Sequence, residues 1–274
     1  ACVAILEPLW AAHPEQIWIG IDLADALGVF GLLLQGVWQY DEAETAYRRS
    51  VELLEALWVA HPERYWICSS LARDLFNFSS LLSGIGQHDA AETACRRSVE
   101  LFEALWTAHP EQIWIGMGLA DAFGTLGDLL RKAEQHDAAE TACRRSVELF
   151  EALWAAYPEQ IWIGEGLART LGDLGSSLDD AGQRDAAEAA YRRSVTLYEA
   201  LWAAHPEQIW IGEGLAGALG NLGSSLDDAG QRDAAEAAYR RSVALYEALW
   251  AAQPDQGEGD LCMLLTLTLG QLGD

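Results

Sequence analysis

The chain has 274 residues, a formal net charge of −25, and 51% of residues from the set AVILMFWYC. This apolar content is enough for a packed core and excludes global disorder. So acidic a chain is expected to repel nucleic acid and anionic membrane surfaces, which makes both unfavourable partners. No uninterrupted apolar run reaches the roughly 18 residues of a membrane span.

The compartment is not identified by the sequence. No positively charged segment precedes an apolar one near the N-terminus, so no signal peptide is visible, although the chain begins at Ala1 and a leader could precede it. The five cysteines form no C-x-x-C pair, which is typical of a cytoplasmic protein and argues against a disulfide framework or zinc knuckle.

A motif of the form Leu-Trp-x-Ala-x-Pro recurs along the chain at a constant spacing of 48 residues, first at Leu9 and last at Leu249. Self-similarity at a fixed period of this size predicts a solenoid, in which each unit packs on its neighbours. We therefore expect one domain, residues 1–274. Its predicted segments are a half-repeat 1–13, repeats 14–61, 62–109, 110–157, 158–205 and 206–253, and a half-repeat 254–274.

Each repeat contains two predicted helices in the same order, as the fifth repeat illustrates. Leucines at helical spacing predict a first helix from about Glu207 to Asp228. The stretch that ends at Gln231 breaks it. A second helix is predicted from Asp233, which forms a pair typical of a capping box with Glu236. No alternating Val/Ile/Thr-rich segment predicts a strand, so the fold class is all-α.

The fifth repeat carries the elements of a known repeat family, namely Leu219-x2-Leu222-Gly223-x2-Leu226 followed by Ala235-x3-Tyr239 and Pro254. This pattern resembles the tetratricopeptide repeat (TPR), W-x2-L-G-x2-Y, A-x3-F, P. Leucine replaces the family Trp and Tyr, Ser79 replaces the family glycine in repeat two, and the period is 14 residues longer than the usual 34. The resemblance implies a right-handed superhelical α-solenoid of antiparallel helix pairs, similar to the scaffold or sensor arrays of large bacterial signalling proteins.

The additional residues lengthen both helices at one shared edge of each helix pair, and the tryptophans lie there. One row is in the first helices and another in the second helices, with Trp210 and Trp202 as the members near the fifth repeat. A buried aromatic spine that joins the extensions is the favoured interpretation, since each indole buries a large area. It predicts that Trp202 and Trp210 are largely buried. The alternative is an aromatic strip that binds a ligand.

No residue pattern indicates chemistry. The six histidines fall about one to a repeat, which is too dispersed for a metal site. Cys95 and Cys143 occupy the position that Tyr191 holds in repeat four, which indicates a core slot rather than a nucleophile. The stretch Asp227-Asp228-Ala-Gly lacks the alternating oxygen ligands of a calcium loop. We therefore expect no enzyme activity, no cofactor and no metal. The arginine doublets of the second helices are expected to neutralise nearby glutamates rather than to bind anions.

The first helices vary between repeats, whereas the second helices keep the motif Ala-Glu-x-Ala-x-Arg-Arg-Ser-Val. By resemblance, first helices line the concave face of TPR arrays, where extended peptides bind. Variation on one stripe of the first helices predicts a recognition groove, and relaxed drift on a solvated face is the alternative. The predicted partner-binding residues are Arg73, Phe76, Ser80, Met117, Asp121, Asp128, Arg131, Glu165, Arg169, Asp179, Asp180, Glu213, Asp227 and Asp228.

The character of the partner follows from the same stripe. The chain has one lysine, Lys132, so the Lys/Asn clamp by which some TPR domains hold a terminal carboxylate is absent. The acidic residues favour a basic or polar protein or peptide. One row of the stripe alternates in sign, and neighbouring first helices are expected to pair its ions. That row is Asp25, Arg73, Asp121 and Arg169.

Both ends of the chain lack the polar capping helix that solenoids usually carry. The chain begins within a second helix and ends with a lone apolar first helix, so end-to-end stacking into a filament or oligomer is a second hypothesis. The alternatives are a fragment of a longer protein and, given the near-identical repeats, an engineered consensus protein. The residues expected to mediate self-association are Val3, Ile5, Leu6, Leu261, Met263, Leu264, Leu265 and Leu267.

Overall fold

The computed structural model describes residues 2–252, which form α-helices joined by short turns and contain no strand. Helices recur at the sequence period, since each type begins every 48 residues. The first helices of the repeats are α2 (Ile17–Gly36), α4 (Tyr65–Gly84), α6 (Ile113–Lys132), α8 (Ile161–Asp180) and α10 (Ile209–Asp228). The second helices are α1 (Cys2–Ala12), α3 (Tyr40–Ala60), α5 (His88–Ala108), α7 (His136–Ala156), α9 (Arg184–Ala204) and α11 (Arg232–Ala252).

The helices belong to two compact units, Ala1–Ala133 with α1 to α6 and Glu134–Asp274 with α7 to α11. Within each unit, helices that are consecutive in sequence pack on each other. First helices also contact each other directly, α2 with α4 and α4 with α6 in unit one, and α8 with α10 in unit two. Each unit is therefore a stack of helix pairs with the first helices side by side, whereas one continuous stack along the whole chain stays a prediction.

The helix starts differ from the sequence prediction in both helices of a repeat. The first helix of repeat five begins at Ile209, not Glu207, because the backbone bond from Gln208 N to His205 O closes a turn before it. The second helix begins at Arg232, so Asp233 lies inside the first turn and the predicted capping box is wrong. In the equivalent α9, the residue before the helix is Gln183, which makes no side-chain cap bond. The aspartate therefore acts on the helix dipole rather than as a cap.

The turn inside each helix pair requires one residue with left-handed backbone. Glycine supplies it in three repeats, with φ of 79° at Gly86, 74° at Gly182 and 75° at Gly230. Trp38 and Glu134 occupy the same turn position with φ of 63° and 58°. These two residues pay a conformational cost that glycine does not, because a Cβ disfavours this region.

The core slot predicted for Cys95 is confirmed, and its partner on the first helix is informative. A Cβ added at Gly175 would lie 2.7 Å from the Tyr191 ring, so the tyrosine needs glycine opposite it. In repeat two the slot holds buried Cys95, and the residue opposite is Ser79, which interacts with the thiol. The smaller cysteine leaves room for the Ser79 side chain, which explains why repeat two departs from the TPR glycine.

The invariant serine of the second-helix motif joins each second helix to the first helix of its own pair. Ser50 Oγ lies 2.8 Å from Ala24 O, and Ser194 Oγ donates to Ala168 O at 2.6 Å. Ser98 and Ser242 make the same bond to Ala72 and Ala216. The serines are buried, so loss of this hydroxyl would leave a buried carbonyl without its side-chain donor.

Two first helices, Ile17–Gly36 and Ile113–Lys132, are long and apolar enough to cross a membrane by length and composition. The expectation that no segment reaches span length does not hold by this measure. Both helices pack on adjacent helices of unit one, as α4 does. Core helices of non-membrane proteins pass the same test, so length and composition are weak evidence for a span.

Candidate functional site

The predicted stripe of unit one contains a charged cluster between α2 and α4. Arg73 Nη2 lies 2.7 Å from Asp25 Oδ1, which confirms the expected ion pair between neighbouring first helices. Arg73 Nε also lies 3.2 Å from Asp74 Oδ1. The guanidinium of exposed Arg73 therefore bridges the carboxylate of Asp25 at the surface and the carboxylate of Asp74 below it.

Asp74 is a functional candidate that sequence reasoning missed. It is 0% exposed, and its Oδ2 accepts a 2.6 Å hydrogen bond from Ser50 Oγ. Burial raises the pKa of Asp74, although the Ser50 hydrogen bond and the Arg73 charge oppose that rise. The equivalent residue is Ala26 in repeat one and Thr170 in repeat four, so an acidic residue at a buried register position was the available signal.

The rest of the unit-one stripe is half-buried, with side chains that line the surface of α4 and α6. Asp128 Oδ1 and Oδ2 lie 2.6 Å from Arg131 Nη2 and Lys132 Nζ. Burial would raise the pKa of Asp128, but the hydrogen bonds from Lys132 and Arg131 outweigh it and hold the pKa below its usual value. The other half-buried members are Phe76, Ser80, Met117 and Asp121.

The unit-two stripe is more acidic. Glu165 accepts a 3.3 Å hydrogen bond from the Tyr198 hydroxyl, and Arg169 Nη1 lies 3.6 Å from Asp173 Oδ2. At the end of α8, burial raises the pKa of Asp179. A hydrogen bond with Ser225 opposes this rise, and the negative charges of Asp228 and Asp180 reinforce it. Asp180, Asp227 and Asp228 are exposed, and Glu213 is half-buried. Carboxylates therefore crowd together at the C-terminal ends of α8 and α10.

The arginine doublets on the second helices are paired with glutamates, as expected. The first arginine of a doublet bonds the glutamate four residues earlier, for example Arg192 to Glu188 at 2.8 Å. The second forms an ion pair with a glutamate of the preceding second helix, as in Arg49 with Glu7 at 2.5 Å and Arg97 with Glu55 at 3.7 Å. Arg193 with Glu151 and Arg241 with Glu199 repeat this bond in unit two. These ion pairs with glutamate occupy the arginine side chains of the second-helix face.

The two tryptophan rows have different environments, so the prediction of one buried spine is wrong. Second-helix indoles are half-buried against the next first helix, since a Cβ at Gly164 would lie 2.9 Å from the Trp154 ring. Trp202 has the same half-buried position over Gly212. First-helix indoles face solvent more, with Trp162 59% exposed, and Trp210 is half-buried rather than buried. The first-helix position lies at the helix entry, where Trp162 stacks on Trp210 of the next first helix and is otherwise open to solvent.

An apolar cleft of about 600 Å³ lies between α1 and α2 in unit one. Val3 lines it, and Val3 and Leu6 are half-buried, while Ile5 is 62% exposed. On α2, Phe30 and Leu33 are 46% and 64% exposed, whereas the equivalent Leu81 of α4 is buried under α3. The C-terminal members of the self-association set, Leu261, Met263, Leu264, Leu265 and Leu267, lie outside the described residues.

No group of three or more His, Cys, Asp or Glu side chains that could hold a metal occurs among residues 2–252. The described cysteines are free, and burial raises the pKa of the Cys68 thiol to about 11. Such a thiol is protonated at neutral pH and a poor nucleophile.

Sequence models of the tetratricopeptide repeat match residues 120–152, 167–207 and 215–249. The chain therefore contains tetratricopeptide repeats. The matches lie in repeats three to five. No curated protein matches the sequence significantly.

Solved structures share the TPR-like solenoid fold at low identity. BtubC (BKLC) from P. vanneervenii is 18% identical, with 94% of this chain and 91% of BtubC covered and a TM-score of 0.67. The apo form of RapI is 13% identical, with 91% and 83% covered and a TM-score of 0.59. A Rap protein complexed with competence and sporulation factor is 17% identical, with a TM-score of 0.61; 93% of this chain aligns with 64% of that one.

TPR membership supports a role as a protein–protein interaction scaffold, and proteins of this family are typically non-enzymatic. In TPR terms, the first-helix stripes described above are the candidate recognition surfaces, one in each unit. The paired second-helix face and the buried serine contacts are the frame that holds them.

Proposed function

We propose that this TPR protein binds a basic or polar protein segment along its first-helix stripes. The observation that carries the proposal is the carboxylate crowding at the ends of α8 and α10. The pKa of Asp179 is raised by burial and, despite the Ser225 hydrogen bond, by the neighbouring charges of Asp228 and Asp180. A cationic group placed there would relieve like-charge repulsion, so the stripe favours a basic partner.

The fold supports the same proposal from a second direction. A Rap protein of this fold is described in complex with competence and sporulation factor, so the architecture accommodates a bound partner. In unit one the stripe adds the half-buried Phe76 and the Arg73 guanidinium, which offer an apolar contact and a hydrogen-bond donor for specificity. Residues of this mixed type are common anchors in interfaces.

The test is a comparison of two triple variants of the full chain with equal charge changes. Asp179→Asn, Asp227→Asn and Asp228→Asn alter the stripe. The control carries Asp137→Asn, Asp185→Asn and Asp233→Asn, which alter exposed aspartates on second helices. We expect proteins captured and cross-linked by the wild type to be lost from the stripe variant and retained by the control. Equal retention by both variants, or equal loss, would contradict the groove assignment.

Specificity is expected to reside in Arg73, Phe76, Asp128, Arg131 and Arg169. Exchange of these residues for their repeat-five equivalents should abolish capture while circular dichroism stays unchanged. A larger effect from second-helix surface changes would place the binding surface elsewhere.

A second function, self-association, is favoured by the uncovered apolar face of α2. Phe30 and Leu33 are exposed, although the equivalent Phe78 and Leu81 contact α3. We propose that a second copy of the chain covers this face. Because the chain carries −25 charges, association should strengthen as salt rises to physiological ionic strength.

Light scattering of the full chain tests self-association. Phe30→Lys with Leu33→Lys should abolish concentration-dependent mass, as should the sequence-based pair Leu264→Lys and Leu265→Lys. Val59→Lys is the control, since Val59 is 82% exposed away from this face. A wild-type chain that stays monomeric at high concentration and moderate salt would exclude this function.

A further inference from the structure

The entry of every first helix carries the same five-residue element, Pro-Glu-x-x-Trp, which starts at Pro14, Pro62, Pro110, Pro158 and Pro206. Repeat two changes the residues around it to Arg64, Tyr65 and Cys68, yet it keeps Glu63 and Trp66. Packing does not require this indole, because Trp18, Trp66, Trp114 and Trp162 are 44–59% exposed. An indole that is present in all five repeats and exposed in four of them points to a surface role.

The indole rings of these elements are held in place. Trp114 Nε1 donates a 3.1 Å hydrogen bond to Gln112 Oε1, and Trp210 Nε1 donates a 3.0 Å bond to Gln208 Oε1. In unit two, the Trp162 and Trp210 rings stack with centroids 5.8 Å apart. A ring whose N–H is satisfied and whose orientation is fixed binds a ligand at low entropic cost.

The glutamate of each element lies three residues before its tryptophan and is exposed. The glutamate side chains of repeats one, two and three, Glu15, Glu63 and Glu111, are 63–68% exposed, and each lies 3.5–3.9 Å from a histidine Nδ1 of the same turn. Each element therefore offers a carboxylate and an aromatic face to solvent. This is the composition that recognises an organic cation, because the ring face and the carboxylate both attract positive charge.

Repeat two shows the cation already in place. The guanidinium carbon of Arg64 lies 5.5 Å from the Trp66 ring centroid, and Arg64 Nε lies 3.5 Å from Glu63 Oε1. In the other four repeats, glutamine replaces Arg64, so the cation of this arrangement is not supplied from within the element.

We infer that the Pro-Glu-x-x-Trp elements bind arginine side chains of an extended segment of a partner protein. Each guanidinium lies on a first-helix indole and pairs with the glutamate of the same repeat, and Arg64 occupies the element of repeat two. Guanidinium is favoured over ammonium because it is planar, stacks on aromatic faces and is less strongly hydrated. This surface is separate from the first-helix stripes, and the inference does not rest on the proposed function.

Calorimetric titration of the full chain with hexa-arginine and hexa-lysine at physiological salt tests the inference. Trp18→Leu with Trp114→Leu leaves the charge unchanged and should weaken hexa-arginine binding roughly four- to twenty-fivefold, about two- to fivefold for each indole. Trp38→Leu is the control, because it removes a 76% exposed indole outside the elements and should have no effect. The indole N–H signals of Trp18 and Trp114 in NMR spectra should shift on titration.

Two further variants separate this surface from general attraction to an acidic protein. Arg64→Gln should increase hexa-arginine affinity or add one binding site, since it frees the element of repeat two. Glu15→Gln with Glu111→Gln should weaken binding more than Glu52→Gln with Glu100→Gln, which make the same charge change on second helices. The inference is overturned if the Trp18/Trp114 variant binds hexa-arginine as the wild type does, or if both peptides bind equally. The stripe variant of Asp179, Asp227 and Asp228 should keep the dependence on Trp18 and Trp114, so the two proposals can fail independently.

Discussion

Repeats two and four have helices of the same lengths, 20 and 21 residues, but they fill their interiors differently. Repeat four uses glycine against an aromatic ring in one slot, Gly175 against Tyr191. Repeat two fills the equivalent slot with Ser79 and Cys95. The difference teaches that the helix frame accepts different side chains in this slot, and in repeat two both members of the contact differ from those of repeat four.

The same comparison extends to the tryptophan slot and to the polar interior. Trp154 packs over Gly164 in repeat four, whereas in repeat two the position equivalent to this glycine holds buried Cys68. Repeat two also buries Asp74 where repeat four buries Thr170, whose hydroxyl bonds Gly166 O of its own helix. Repeat two therefore carries a buried charge that repeat four lacks.

The largest expected effect concerns the two tryptophans of the repeat-four region. Trp154→Ala should lower the free energy of unfolding by ~2–4 kcal/mol, because it empties the half-buried contact over Gly164. Trp162→Ala, an exposed position, should cost at most ~1 kcal/mol, mainly from loss of stacking on Trp210. Guanidinium unfolding of both variants measures the difference, and equal losses would contradict the assignment of distinct environments.

The second effect is the exchange of a paired slot. Gly175→Ser should cost ~1–3 kcal/mol, because its Cβ would lie 2.7 Å from the Tyr191 ring. Adding Tyr191→Cys reproduces the pair of repeat two, so the double variant should be more stable than the sum of the single effects predicts. A double-mutant cycle measures this coupling, and a coupling of zero would show that the two positions are independent.

A third, smaller effect tests the buried charge of repeat two. The raised pKa of Asp74 means that the folded protein binds this proton more tightly than the unfolded chain does. Wild-type stability should therefore fall as pH rises from the unfolded value near ~3.9 through the folded pKa. Asp74→Ala removes this penalty, so its stability relative to the wild type should be greater at pH 7 than near pH 4.

Thermal unfolding across this pH range measures the Asp74 effect. Asp137→Ala is the control, since it removes an exposed aspartate from a first helical turn and should lose rather than gain stability. A loss in Asp74→Ala at neutral pH would show that the Ser50 and Arg73 bonds outweigh desolvation.

The smallest effect concerns the turn that repeats two and four share. Both use glycine with left-handed backbone, at Gly86 and Gly182, so alanine at either position should cost about 1 kcal/mol. Glu134→Gly should instead stabilise by ~0.5–1 kcal/mol, because Glu134 adopts the same conformation with a Cβ. Chemical denaturation compares the three variants, and destabilisation by Glu134→Gly would mean that the glutamate side chain compensates for its strained backbone.

The sequence by itself determined the all-α fold, the 48-residue period and the pairing of the second-helix arginines with glutamates. These features depend on periodicity and on charges at fixed helical spacing, such as Glu188 and Arg192, and both can be read along one dimension. The core role of Cys95 followed in the same way, because equivalent positions can be compared within the chain. The stripe residues were named from the sequence, and their role in binding stays a prediction.

Only the tertiary structure decided what covers each residue. A tryptophan in a first helix and one in a second helix look equally apolar in sequence, yet Trp154 has a glycine surface against it and Trp162 faces solvent. Likewise, Asp74 resembles any surface aspartate until Ser50 and Arg73 converge on it from separate parts of the chain. Burial and hydrogen-bond partners depend on which helices meet, and sequence spacing within one helix does not contain that information.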